Sequence, residues 1–333
     1  MLNGKPSRSV TIERGCRQGD PISPYLFILC AEILGCKIRA EHRIKGITVG
    51  LKEFKITQFA DDTSCFLRGD KQSFEILFET LDRFAAISGL KLNIEKTTNV
   101  WLGSERNCNT RWLTQHNMSW NPEKFKILGI IFQNEVSKVV ELNLNDKYEE
   151  VKRLFGIWIK RVSTPIGRVV ILKSLILSKL IYLWIMLPNP PDKFIKDLQK
   201  LCFEFVWDKK RDKIKRNISI RHIKEGGIGI PDINAYIKSL KIKWIQRLEK
   251  YPSPIWKHVL TNVNPRIASY KLFGTKKMEN TITNPFWKDV FEAYDYADSK
   301  VRILTPEELL TEPLFFNNKF IINKKNNIFS RLV

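Results

Sequence analysis

Two adjacent carboxylates, Asp61 and Asp62, lie inside the run KITQFADDTSCFL. Strand-forming residues precede them and apolar residues return at once, so the pair falls at the tip of a hairpin. Two negative charges side by side repel unless something positive meets them. That partner is a solvent counterion, a lysine or a divalent metal. Mg²⁺ is hard and oxygen-loving, and it is held by one or two carboxylates together with substrate phosphates. Phosphoryl transfer at a growing strand uses two such ions, roughly 4 Å apart. A solvated turn is the competing reading, because Asp is a good turn former.

A second constellation lies upstream in RGCRQGDPISP, Arg14 to Pro24. Arg14 and Arg17 offer charge to phosphates, and Gln18 can hydrogen-bond a base or sugar edge. Gly15 and Gly19 let backbone come close to a ligand. An ordinary strand-to-helix loop would use the same residues. A third lies in WDKKRDKIKR, where Lys209, Lys210, Arg211, Lys213, Lys215 and Arg216 accompany two acids. Such a run either grips a nucleic-acid backbone or is a solvated helix end. His42, His116, His222 and His258 are isolated and read as surface or core residues. The tryptophans read as core, with base stacking as the minority alternative.

The elements that must position these residues are legible in part. SVTIE alternates like a strand, and SPYLFILCAEILGCKIRA reads as a helix with Ser23 as N-cap and Pro24 at its first position. That helix is apolar on nearly every face, which predicts burial. GITVG and EFKITQF read as strands, with Phe54, Ile56 and Gln58 on one face and Lys55, Thr57 and Phe59 on the other. KQSFEILFETLDRFAAISGL is an amphipathic helix, and KLNIEKTTNVWLG and FKILGIIF return to strand character. The pattern predicts an α+β domain, a helix-backed antiparallel sheet ending near residue 135. Helical segments follow, punctuated by Pro165 and the run Pro188 to Pro191. Periodicity weakens beyond about residue 250, and that tail has no legible organisation.

The chain has 333 residues, 43% of them hydrophobic, with 56 Lys+Arg against 35 Asp+Glu, a net charge of +21. That excess favours a polyanionic partner, nucleic acid before membrane. The six cysteines are scattered without zinc-finger spacing or a disulfide framework, which fits a reducing compartment. MLNGKPSRSV does not read as a signal peptide. The most apolar stretch, VVILKSLILSKLIYLWIMLP, carries Lys173 and Lys179 and reads as a buried bundle helix.

Four blocks, RGCRQGDPISPYLF, FADD, GLKLNIEKT and FKILGI, occur in that order. Together they resemble the successive signature blocks of reverse transcriptases from non-LTR, LINE-type retrotransposons. FEFVWDKKRDKIK and EGGIGIPDINAYIKSLKIKWIQRL resemble the region beyond the thumb in those elements. The resemblance covers about residues 2 to 250. It implies a partial right-hand palm over 1–135, a helical thumb and connecting region over 136–250, and a C-terminal region of unknown role over 251–333. It implies that Asp61 and Asp62 are catalytic metal ligands for Mg²⁺, two ions in a complete enzyme. Arg14, Arg17, Gln18, Gly19, Phe59 and Lys96 then fall at nucleotide- and template-binding positions, and Leu128 and Gly129 at the primer grip. Partners would be an RNA template, a DNA primer and a dNTP, in the nucleus or the cytoplasm, with the nucleus favoured by the resemblance. One departure stands out. The family takes a third Asp from a strand upstream of the first block, and Met1 to Glu13 contain no Asp. The fingers, the first catalytic strand, the N-terminal endonuclease and the Cys/His-rich C-terminal motif are not found here either. The expectation is an internal piece of a retrotransposon reading frame, an RNA-directed DNA polymerase by ancestry. The alternative is a catalytically inactive basic RNA/DNA-binding remnant.

Overall fold

The computed structural model describes residues 15, 19–113, 116–133, 135, 138–249, 255–265, 267 and 282–298, with further strands at 320–322 and 328–330. The chain divides into two compact units, Met1–Glu123 and Lys124–Val333. SVTIE lies outside the described residues.

The first unit is built on two helices, α1 (Ser23–Ala40) and α2 (Lys71–Ser88). Two hairpins lie between them: β1 (Ile47–Val49) with β2 (Lys52–Phe54), and β3 (Ile56–Phe59) with β4 (Asp62–Cys65). The Asp70 side chain caps α2 by accepting from the Ser73 backbone N–H at 2.7 Å, and Gly89 ends the helix at a φ of 75°. Leu34 and Ile38 of α1 meet Ile76, Leu77 and Phe84 of α2, with Ile44 between and Ile56 and Cys65 of the hairpin against them. Burial pushes the Cys65 thiol up to about 11. Farther along, β5 (Thr98–Asn99) pairs in parallel with β6 (Ser119–Trp120). Trp101, Trp112 and Trp120 pack edge-on and tilted around Phe74 in a second small core.

Three expectations need correction here. Among the described residues the strands form five separate two-stranded ribbons, not one antiparallel sheet. They are two to four residues long, and none finds a third partner. The helix α1 is not buried all round: Ile22, Tyr25, Leu26, Ile28, Leu29 and Ile33 are exposed, because only the face of Leu34, Gly35 and Ile38 meets α2 and the hairpin. EFKITQF is not one strand. It breaks at Lys55 into β2 and β3, which take different partners, and the break frees Lys55 from the alternation. Its side chain is buried, and its Nζ donates to the carbonyls of Arg39 at 3.2 Å and Glu41 at 2.9 Å. Those carbonyls close α1, whose end is partially negative.

The second unit opens with a hairpin, β7 (Lys124–Ile127) and β8 (Ile130–Gln133). Helices follow: α3 (Val139–Trp158), α4 (Pro165–Ile171), α5 (Ser178–Met186), α6 (Asp192–Val206), the short α7 (Arg216–Ser219) and α8 (Ile233–Glu249). The apolar stretch read as one buried helix is α4 and α5 joined by a π-turn at Leu172–Ile176, with a 48° bend. It does form the core, for Leu172, Ile176, Leu177, Leu180, Leu183 and Trp184 are buried. No single helix among the described residues is long and apolar enough to cross a membrane. The tail acquires order through α9 (Ile255–Val263) and α10 (Pro285–Asp298), which share a core with Ile245 and Leu248 of α8. The last ribbon pairs β9 (Phe320–Ile322) with β10 (Ile328–Ser330).

Buried cations hold this unit together. The Arg168 guanidinium, 5% exposed, donates to the carbonyls of Val162 (2.7 Å), Ile159 (3.2 Å), Phe205 (3.3 Å) and Val206 (3.4 Å) and to Asp208 Oδ1 (3.1 Å). Ile159 follows α3, and Phe205 and Val206 end α6. Lys241 of α8 is fully buried, donates to the Leu187 carbonyl and lies 4.2 Å over the Phe286 ring of α10. Burial holds its pKa down to about 8, and Asp289 opposes that shift.

Arg168→Lys should destabilise the second unit by about 2–4 kcal/mol in urea unfolding, because an ammonium has three donors and no planar fork. An unchanged midpoint would show that the fork is dispensable. Lys241 carries a pH signature. Its folded pKa, about 8, lies below the ordinary 10.5, so between those values the unfolded chain binds more protons and stability rises with pH. Lys241→Met should flatten that rise in thermal midpoint between pH 8 and 10.5 relative to the parent chain, and identical slopes would refute the assignment.

Candidate nucleic-acid and metal site

The strand register fixes the first tip. Ile56 faces Cys65, Thr57 faces Ser64, Gln58 faces Thr63 and Phe59 faces Asp62, which leaves Ala60 and Asp61 as a two-residue turn. Asp61 therefore stands in the turn, Asp62 opens the return strand, and both side chains are exposed. Phe59, opposite Asp62, is 69% exposed. Gln58 points inward, where its Nε2 donates to the Ala31 carbonyl of α1 at 3.1 Å. Gly35 permits this approach, since a Cβ there would stand 2.7 Å from Gln58 Oε1. The helix α1 thus carries the hairpin, and the sequence expectation of two carboxylates lifted from a hairpin tip holds.

Ala60 takes a φ of 51° at the first turn position. Tight two-residue hairpins require a positive φ there and favour Gly, so an alanine stores strain. Of the loop expected opposite, Arg14, Arg17 and Gln18 lie outside the described residues. Gly19 is described, with a φ of 89° and open space where a side chain would be. Lys96 ends a 3₁₀ turn, Ile94–Lys96, capped by Asn93, and is exposed. That segment was expected to be strand, but only Thr98–Asn99 pairs. Among the described residues no group of three or more His, Cys, Asp or Glu side chains is placed to hold a metal ion. Asp61 and Asp62 fit the part of a Mg²⁺ shell that a protein supplies when phosphates supply the rest. A two-ion site asks for a further carboxylate.

The second tip is a hairpin where the sequence suggested one strand. In FKILGIIF, Ile127 pairs with Ile130, and Leu128 and Gly129 turn the chain with φ of 46° and 85°. Positive φ at both positions is the type I′ pattern, which favours Asn-Gly. A leucine there conceals the turn from sequence reading. Its side chain is 45% exposed.

The basic segment follows α6 through two consecutive left-handed residues, Asp208 (φ 59°) and Lys209 (φ 57°). Lys209, Lys210, Arg211, Lys213, Lys215 and Arg216 are all exposed. They are not equivalent. Arg216 is engaged by Asp212 at 2.7 Å and lies 4.7 Å over the Phe203 ring, and Lys210 lies 3.3 Å from Asp208. Lys209, Arg211, Lys213 and Lys215 make no ion pair with a carboxylate among the described residues.

Residues 1–132 match the family model described as reverse transcriptase (RNA-dependent DNA polymerase). The chain is 25% identical over 96% of its length to the transposon TX1 uncharacterized 149 kDa protein of Xenopus laevis, of which it covers 25%. It is 23% identical over 72% of its length to the retrovirus-related Pol polyprotein from type-1 retrotransposable element R2 of Popillia japonica, covering 34% of that protein. A stretch of 69 residues is 51% identical to an uncharacterized mitochondrial protein of Arabidopsis thaliana, covering 57% of it. Residues 1–132 are thus similar in sequence to a reverse transcriptase domain, and two of these relatives are retrotransposon proteins. The chain spans between a quarter and somewhat over half of the length of these relatives.

Leu128→Asn supplies the residue pair the I′ turn favours. It should raise stability by about 1 kcal/mol, the size of the left-handed penalty relieved. A lower unfolding midpoint would mean that the leucine side chain outweighs the strain.

Proposed function

We propose that this chain is the palm-and-thumb portion of an RNA-directed DNA polymerase that extends a DNA primer on an RNA template with dNTPs. The observation that carries this reading is the FADD hairpin, with Asp61 and Asp62 both exposed at its turn. Asp61 and Asp62 would hold Mg²⁺, which when bound neutralises phosphate charge and activates the attacking hydroxyl. The chain's own residues do the rest. Phe59 offers an exposed ring beside the carboxylates, Arg14, Arg17, Gln18 and Gly19 position nucleotide and template, and Lys96 faces the phosphates. Leu128 and Gly129 hold the primer. Lys209, Arg211, Lys213 and Lys215 grip the nucleic-acid backbone, with Lys210 and Arg216 partly committed to the protein.

A second reading has its own support. The described donor set stops at two carboxylates. We therefore propose that these 333 residues alone bind nucleic acid without sustained synthesis.

The test is binding of an RNA–DNA hybrid over a salt series, paired with Mg²⁺-dependent primer extension. Affinity should fall steeply with salt, and replacing Lys209, Arg211, Lys213 and Lys215 by Ala should lower the log–log slope by about 0.9 per lost phosphate contact. Asp61→Ala should leave hybrid affinity within about twofold, since a carboxylate makes no favourable phosphate contact without a metal. Salt-independent binding, or no binding at low salt, would sink the nucleic-acid reading. Sustained primer extension by the chain alone would sink the second reading and affirm the first.

A further inference from the structure

We propose that Tyr182 is a positioning residue for the tip of the β7–β8 hairpin, with Asn143 fixing the hairpin's base. The helical core then decides where Leu128 and Gly129 stand. This deepens the function proposed above and rests on its reading of that tip as the element holding the primer end.

The hairpin cannot hold itself. A lone two-stranded ribbon is marginal in water. This one turns through Leu128 at a φ of 46°, a conformation that costs a branched side chain free energy. Its anchors are on the helices. Asn143 of α3 is buried, and its Oδ1 accepts from the Ile131 N–H at 2.8 Å. Its Nδ2 donates to the Ile131 carbonyl at 2.7 Å and to the Val139 carbonyl at 2.8 Å. One side-chain amide thereby satisfies both outward backbone groups of Ile131, as a third strand would. Ile130 sinks into the main helical core.

Tyr182 holds the other end. Leu180, Leu183 and Trp184 turn the opposite face of α5 into the core, which leaves Tyr182 on the exposed face. Its hydroxyl donates to the Leu128 carbonyl. Its ring lies beneath the turn, where a Cβ on Gly129 would stand 3.5 Å from it. A surface tyrosine is free to point its hydroxyl at water. Here it fixes the one strained carbonyl of the hairpin. With α3 at the base and α5 at the tip, the orientation of Leu128 is set by helices rather than by the turn.

Tyr182→Phe removes one oxygen and keeps the ring. The experiment measures backbone amide exchange across residues 124–133, and crosslinking from a 4-thiothymidine at the primer 3′ end of an RNA–DNA hybrid. The expected result keeps the unfolding midpoint and the hybrid affinity within about twofold of the parent. Exchange at residues 128–130 rises about fivefold, the factor that one net hydrogen bond represents, and crosslinking to the hairpin drops by a similar factor. A residue with a merely structural role would shift the midpoint and leave the crosslink in place. Unchanged exchange and unchanged crosslinking overturn the proposal. The two layers separate in the parent chain: a primer end that crosslinks elsewhere overturns the primer-grip reading and the functional half of this proposal, whatever the exchange shows.

Discussion

Two helices of the second unit end where a single buried guanidinium can reach both. The residues that close α3 and α6 present carbonyls, each at the negative end of a helix dipole. Brought together without a cation they would repel. Arg168 collects three of these oxygens, the Val162 carbonyl beyond α3 and one carboxylate oxygen of Asp208. A buried charge is tolerated only when so fully partnered. Much depends on it. Asp208 begins the left-handed step that carries the chain from α6 into the basic segment, so those lysines leave the core at a place the guanidinium fixes. The core closed by that contact also supports the β7–β8 hairpin.

The β3–β4 and β7–β8 hairpins follow one physical pattern. Each is a two-stranded ribbon too small to be stable alone, and each turns through a non-glycine residue at positive φ: Ala60 in one, Leu128 in the other. Each is held by side chains that satisfy backbone groups on a neighbouring element. Gln58 reaches the Ala31 carbonyl of α1, and Asn143 and Tyr182 reach Ile131 and Leu128. Strain of this kind persists only where surrounding structure over-determines it. Its presence at both tips marks them as places where position outranks local stability.

The first unit is economical with its core. Leu34 and Ile38 of α1 are covered, while Tyr25, Leu26, Ile28 and Leu29 are open to solvent. A helix in a small unit of two-stranded ribbons has only one packed face to offer. The aromatic cluster of Trp101, Trp112 and Trp120 compensates elsewhere, since it gives order to a stretch with little regular secondary structure.

The sequence by itself determined what depends on local pattern. Helical spacing marked α2, the alternation around FADD placed two carboxylates at a turn, and ordered blocks pointed to the reverse transcriptase family. Tertiary structure decided what depends on partners distant in the chain. The fate of Lys55 turned on where α1 ends, because a buried lysine needs acceptors and the carbonyls that close α1 supply two of them. The hairpin in FKILGIIF was invisible because leucine is no turn former, and only anchors 12 residues away in Asn143 and 54 away in Tyr182 make its left-handed turn tolerable. The tail beyond α8 had no periodicity of its own to read, and it gained order by packing α9 and α10 against a helix whose inner half already belonged to another core. Burial is a property of pairs of surfaces, and a single sequence segment carries only one of them.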